Sequence, residues 1–300
     1  MTGAVHSAIK SGAQRVIARA SRGYVAGADL ADARRVADAL STRGYGITLA
    51  YWDGVGEDAT TVVAHHLAGI HDLAAHAGDY VSVKAPSFGY DAAVAAELVD
   101  RASRLGVGVH FDSLDHDTVD PTLDLIGSLP GGAAGIGVTI PGRWRRSPDD
   151  AATLAAMGAV VRVVKGQWAD PGAPELDSAE GFLAVVATLA GGPGPVRIAT
   201  HDPLVAEASL ALLGDAGTPA EVELLYGLPV RGMLGIIADP SLPVRVYVPY
   251  GHGWLPYALD GLRRSPRLML RLIRDAFGGR YLQGFPERSS AEIRPESPVG

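Results

Sequence analysis

Two rhythms of apolar residues alternate along this chain. Short runs rich in Val, Ile and Tyr read as strands; between them, apolar residues recur three and four positions apart, as on a helix face. Ala26–Thr42 carries Leu30, Val36 and Leu40 on one stripe, with Gly44 just past the end, and predicts a helix. Gly46–Trp52 predicts a buried strand, and Asp58–Ala77 a helix carrying Val62, Val63, Leu67, Ile70 and Leu73. The unit then repeats. Strands are predicted over Tyr80–Pro86, Gly106–Ser113, Ala134–Pro141, Val160–Gln167, Val196–Asp202, Val222–Leu228 and Val244–Tyr250. The helices between them are predicted over Tyr90–Leu105, Thr118–Ser128, Ser147–Met157, Asp177–Leu189 and Pro203–Leu213, with a short one near Val230–Leu234. After the last strand Pro249 removes a backbone donor, Gly251 permits a sharp turn, and Trp254–Leu262 begins a further helix.

About eight strand–helix units at this spacing predict an α/β chain folded as a (β/α)8 barrel. Most strands are nearly continuous apolar runs, as expected where both faces are covered. Gly191–Pro195 is a tight loop between units, and no linker divides the chain. The expected organisation is an N-terminal helical extension over 1–43, a barrel over 44–277, and a loosely ordered tail over 278–300.

Composition narrows the function. A net charge of −7 with no concentrated Lys/Arg patch argues against nucleic-acid binding. The absence of cysteine removes disulfides, thiolate nucleophiles and Cys-ligated zinc. The first residues, with Lys10, Arg15 and Arg19, lack the apolar core of a signal peptide, and no run approaches the ~18 apolar residues of a membrane span. The expected location is the cytoplasm, free or peripheral to the membrane.

In a barrel of this kind the chemistry sits at the carboxyl ends of the strands. Those ends carry Asp53, Lys84, Asp112, Arg143, Arg162 with Lys165, Thr200 with His201, Tyr226 and Tyr250. Lys84 lies in an apolar strand, so its ammonium must leave the core or find a carboxylate. Asp112 is the expected partner, and a purely structural ion pair is the alternative reading. Arg162 and Lys165, three apart, are expected on opposite faces of their strand, one entering the barrel. Gly166 allows close approach of a ligand to the backbone. Thr200-His201-Asp202 has a bland reading as the cap of the next helix. His65, His66, His71 and His110 have no metal-cage spacing and read as core or surface residues, so no metal site is expected.

These residues resemble a known family. VSVKAP (81–86), HFDSLDHDTVDPTLDLI (110–126), VRVVKGQWADP (161–171), IATHDP (198–203), ELLYGL (223–228) and RVYVPYGHGWLPY (245–257) resemble, in order, the blocks of proline dehydrogenase, the FAD-dependent barrel flavoenzyme. The resemblance implies that Lys84 is the substrate-side lysine and Asp112 an active-site acid, with Ser113 beside the flavin. It implies that Arg162 is an active-site arginine, that Lys165, Gly166 and Gln167 contact the flavin, and that Thr200 and His201 bind it. Tyr257 matches an aromatic residue packing over the substrate. A quinone is the electron acceptor that the family suggests.

Two departures stand out. Where the family carries an arginine pair that grips the substrate carboxylate, the ungapped continuation here reads Asp260-Gly261, with Arg263 and Arg264 following. A carboxylate repels the group that a bidentate arginine would hold. Pro141 stands where the family has a glutamine near the flavin. The expected function is FAD-dependent oxidation of a C–N bond in an amine or modified amino acid, with hydride transfer to flavin N5. The alternatives are ordinary L-proline dehydrogenation, with Arg263 or Arg264 shifted into place, and a barrel without redox chemistry that serves as a binding partner.

Overall fold

The computed structural model describes residues 25–76, 78–174, 176–253 and 281–288. Eight parallel strands close into a barrel in sequence order: β1 Gly46–Trp52, β2 Tyr80–Val83, β3 Gly108–Phe111, β4 Gly137–Pro141, β5 Val160–Val164, β6 Val196–Ala199, β7 Ala220–Leu225 and β8 Val244–Gly251. The β1–β8 seam runs from Gly46 opposite Arg245 to Trp52 opposite Gly251. Outside lie α1 Leu30–Ser41, α2 Ala59–Leu73, α3 Ala92–Arg104, α4 Val119–Ser128, α5 Ser147–Ala156, α6 Ser178–Leu189, α7 Pro203–Asp215 and the short α8 Leu234–Ile237. This is the (β/α)8 barrel that the alternation predicts, with a helix preceding the first strand.

Helix starts follow local chemistry. Asp58, Asp91, Asp177 and Asp202 each precede a helix and accept hydrogen bonds from its first free N–H groups. Strand ends differ from expectation. Several sequence runs continue two or three residues beyond the last ladder pair, because there the chain already turns outward toward its helix. Lys84 thus leads into a 3-10 turn over Ala85–Phe88, and Lys165 lies past the end of β5.

The strands are less uniformly apolar inside the barrel than their sequences suggest. Alternate residues such as Val81, Val83, Val161, Val163, Val222, Val244, Val246 and Val248 are buried in the main aliphatic core. The intervening positions, Thr48, Ser82, His110, Thr139, Arg162, Glu223 and Arg245, are buried and polar. A period of two puts these on the opposite face of each strand, filling the barrel interior.

The amino-terminal end of that interior is closed. Arg245 donates to Glu221 at 2.9 Å and to Asp79 at 3.2 Å, and Arg197 donates to the other Glu221 oxygen at 2.9 Å. Tyr80 sits between the two guanidinium groups, each 4.3 Å from its ring centre. Residues 281–288, expected within a loosely ordered tail, instead pack over the starts of β1 and β8. Phe285 meets Tyr45 edge-on at 5.3 Å, Pro286 accepts from the Tyr45 hydroxyl at 3.0 Å, and the Arg288 amide donates to the Arg43 carbonyl at 2.9 Å. Buried apolar area and satisfied backbone groups hold that segment. The predicted helix at Trp254–Leu262 lies outside the described residues, as do Lys10, Arg15 and Arg19.

Candidate active site

At the carboxyl end of the strands the barrel opens into a cavity of about 670 Å³. Lys84, Asp112, Ser113, Arg162, Lys165, Gly166, Gln167, Thr200 and His201 all line it. Residues from the second to the sixth unit are thereby brought to one place, as closure of a parallel barrel requires. Tyr257, Asp260, Arg263 and Arg264 lie outside the described residues.

Arg162 organises the floor. Its Nη1 donates to Glu223 at 3.0 Å and its Nη2 donates to Asp112. Nε and Nη2 also converge on the Thr139 hydroxyl at 3.0 and 2.8 Å. Burial works against the arginine's charge, but Glu223 and Asp112 outweigh it and hold its pKa above the ordinary value. Asp112 accepts further from Ser82 Oγ at 2.6 Å and from Tyr247 Oη at 2.8 Å, and Tyr247 in turn accepts from Trp52 Nε1 at 3.1 Å. The Tyr247 phenol is held well above its usual pKa, first by burial and then by the Asp112 charge.

Lys84 does not pair with Asp112. Its Nζ donates to Asp53 at 2.9 Å, and Ser87 donates to the second Asp53 oxygen at 2.9 Å. Burial opposes ionisation of Asp53, yet the Lys84 charge and both hydrogen bonds prevail and lower its pKa. The expected partnership fails because Arg162 reaches Asp112 from across the barrel, leaving Lys84 to the end of β1. The expected opposition of Arg162 and Lys165 also fails. The strand alternation stops at Val164, and the turn that follows brings Lys165 back to the cavity. Tyr250, read as a mouth residue, points outward and donates to the His65 carbonyl at 3.3 Å.

One wall is built by the loop after β5. Gly166 has φ +88°, and a Cβ there would come within 2.6 Å of Pro141 Cβ. Arg143 Nη1 donates to the Gln167 carbonyl at 2.5 Å, and Trp144 Nε1 to the Trp168 carbonyl at 2.9 Å, so the preceding unit clamps this loop. Opposite, His201 uses both ring nitrogens on the backbone: Nε2 accepts from the Leu225 amide at 2.9 Å, and Nδ1 faces the Pro229 carbonyl at 3.1 Å. An accepting Nε2 makes the ring neutral with its proton on Nδ1. Burial lowers its pKa to about 4, against the opposing Pro229 bond. Asp202, not Thr200 or His201, caps α7, and the Thr200 hydroxyl accepts from the Asp202 amide at 3.1 Å.

Sequence reasoning did not single out Trp52, Ser82, Thr139, Glu223 or Tyr247. The period-two signal was available: Ser82 shares a face with Lys84, Glu223 with Glu221, and Tyr247 with Arg245.

The residues fit a flavin. The cavity volume falls in the roughly 300–1,000 Å³ range of cofactor and small-molecule sites. Lys165 offers a cation, and Thr200, Ser113 and Gln167 offer polar groups. Gly166 opens the backbone, and Val164, Phe182, Val205 and Leu228 provide apolar wall.

A closed parallel barrel with a cofactor-sized cavity at its carboxyl mouth, floored by paired charges, has the architecture of a (β/α)8 enzyme. No family model matches the chain. It is 28% identical over 224 residues to "Proline dehydrogenase" of Deinococcus radiodurans, covering 69% of this chain and 70% of that protein. To "Proline dehydrogenase 1" of Bacillus subtilis subsp. natto it is 24% identical over 264 residues, covering 82% and 87%. Among solved structures, proline utilization A from Bdellovibrio bacteriovorus, inactivated by N-propargylglycine, superposes with a TM-score of 0.71 at 18% identity, over 91% of this chain and 36% of that one. The protein of the same name from Corynebacterium freiburgense superposes with a TM-score of 0.61 at 19% identity, over 95% and 36%. The chain thus spans about a third of the length of these solved proteins, and at such identity the likeness carries the fold. The curated proteins to which the chain is similar are named for proline dehydrogenase.

Proposed function

We propose that this protein binds FAD in the barrel mouth and dehydrogenates a CH–NH donor there. The observation that carries the reading is the convergence of the Lys84, Asp112 and Arg162 floor with the Lys165-Gly166-Gln167 and Thr200-His201 walls on one cavity. FAD, when bound, supplies a two-electron acceptor for the hydride leaving the carbon beside nitrogen, while the amine proton passes to solvent and the product is the imine. Lys165, Gly166, Gln167, Ser113 and Thr200 would hold it by charge, backbone approach and hydrogen bonds, with His201 contributing a neutral ring edge. Arg162 presents a fixed positive charge, and Lys84 positions the substrate end. Asp112 is engaged by three donors, so its work is to orient Arg162 and Tyr247.

Among the described residues lining the cavity, Lys84, Arg162 and Lys165 are balanced by Asp112, Asp202 and Glu223, so the lining carries no formal excess of positive charge to hold a free carboxylate. With Asp260-Gly261 in place of an arginine pair, the reading is an amine or modified amino acid. L-proline is the second reading, favoured by the relatives that bear its name. A quinone is the proposed electron acceptor, met by a cytoplasmic protein; among the described residues no helix is long and apolar enough to cross a membrane.

Purified protein should be yellow, and its flavin should bleach anaerobically with the right amine. Colourless protein that takes up no added FAD overturns the reading. Under the L-proline reading, changing Arg263 and Arg264 to Ala sharply raises KM for proline; under the amine reading, proline turnover is poor and Asp260→Arg with Gly261→Arg improves it.

A further inference from the structure

His110 lies at the centre of the barrel, fully buried, one layer below the cavity. Its ring packs against Tyr80 with centroids 5.5 Å apart and planes 28° from parallel. Its Nε2 is 2.9 Å from the Thr139 hydroxyl, and its Nδ1 meets no hydrogen-bond partner among the described residues. An orphaned polar atom in a closed core is costly, so its retention asks for a reason.

The hydrogen-bond directions supply one. Thr139 Oγ1 already accepts from Arg162 Nε and Nη2, so the part of that hydroxyl left to give is its hydrogen. His110 Nε2 is the acceptor it meets, which leaves the imidazole proton on the orphaned Nδ1. The sequence makes room for this arrangement. A Cβ on Gly137 would come within 2.0 Å of Nδ1, so only glycine admits the ring at that position on β4. Every neighbouring donor is then spent in one direction. Ser82 and Tyr247 donate to Asp112, Thr48 and Tyr80 donate to Glu223, and Arg162 donates to both carboxylates.

We infer that His110 is a positioning residue: by accepting the Thr139 hydroxyl hydrogen it turns that oxygen toward Arg162 and sets the guanidinium plane beneath the cavity. The inference rests on the proposed flavin site for its catalytic meaning, since Arg162 lines that cavity and His110 does not touch it. Misplacing a group at a reacting centre by about 1 Å costs on the order of 100-fold in rate.

The test compares His110→Phe, which keeps a ring but has no acceptor, with His110→Gln, whose amide oxygen reaches the place of Nε2. Two measurements are made on the full-length protein: anaerobic flavin reduction in a single turnover, and solvent exchange of the 15N-labelled Arg162 Nε–H by NMR. The expected result is a roughly 10- to 100-fold slower reduction in His110→Phe with faster Arg162 exchange, and recovery of both in His110→Gln. Unchanged reduction and unchanged exchange in His110→Phe overturn the inference, as does equal loss in the Phe and Gln variants. Should His110→Phe not fold, Thr139→Val against Thr139→Ser breaks and restores the same link from the other side, with the same two outcomes. A protein that binds no flavin would defeat the proposed function alone, because Arg162 exchange still decides whether His110 positions it.

Discussion

The two ends of the barrel interior are built from the same residue types and do different things. At the amino-terminal end Arg245, Arg197, Glu221 and Asp79 close on one another around Tyr80. At the carboxyl end Arg162 pairs with Asp112 and Glu223, and Lys84 with Asp53, but Arg162, Asp112, Glu223 and Lys84 border a cavity of about 670 Å³. Buried charge alone therefore does not mark a site. A buried pair must satisfy itself to be tolerated at all, and it becomes chemistry only where a ligand can reach it.

The largest expected effect on stability comes from breaking the closed end. Arg245→Met leaves Glu221 and Asp79 short of a partner in the core and should cost about 3–5 kcal/mol, read by urea unfolding. A loss below about 1 kcal/mol would mean that this end is not a structural plug. At the mouth the balance reverses. Lys84→Met should cost only about 1–2 kcal/mol, because Asp53 keeps Ser87 and partial access to water. The same change should lower kcat/KM on the order of 100-fold, and a fully active variant would remove Lys84 from the site.

Gly166→Ala probes the cavity wall. With φ at +88° and Pro141 in the way, the added methyl should cost about 1–3 kcal/mol, and flavin retention on gel filtration should drop. Retained flavin with unchanged unfolding would show that the loop relaxes freely.

The smallest expected effect is on pH dependence. His201 resists protonation down to about pH 4 when folded, whereas an unfolded histidine takes up its proton near 6.5. Between those values the unfolded chain binds more protons, so stability is full above about 6.5 and falls as pH drops toward 4. His66, lowered to about 3 by burial and then by the Lys84 charge, adds with the same sign. His201→Asn should flatten the slope of unfolding free energy against pH in this window, and an identical slope would refute the neutral tautomer.

Much of this molecule was legible before any coordinates. The strand–helix alternation predicts the barrel, and the strand-end residues Lys84, Asp112, Arg162, Lys165, Thr200 and His201 do share one cavity. The errors have a common cause. The adjacency of β2 and β3 predicts a Lys84–Asp112 pair, yet Asp53 reaches Lys84 from just past β1 while Arg162 takes Asp112 from β5. Strand alternation misplaces Lys165 because β5 ends at Val164. Tyr247 and Glu223 were overlooked because runs such as VRVYV look apolar until it is known which face turns inward.

What the sequence determines by itself is local: element order, the aspartates that start helices, the glycine that lets the loop after β5 pass Pro141, and which residues of a strand face the same way. These depend on neighbours a few positions apart, where backbone geometry is shared by every chain. Which charge meets which was decided only by closure of the barrel. Thr48 and Glu223 are 175 residues apart in sequence and 2.9 Å apart in space. Their meeting depends on strand register and tilt summed around the closed sheet, and no local pattern encodes that sum.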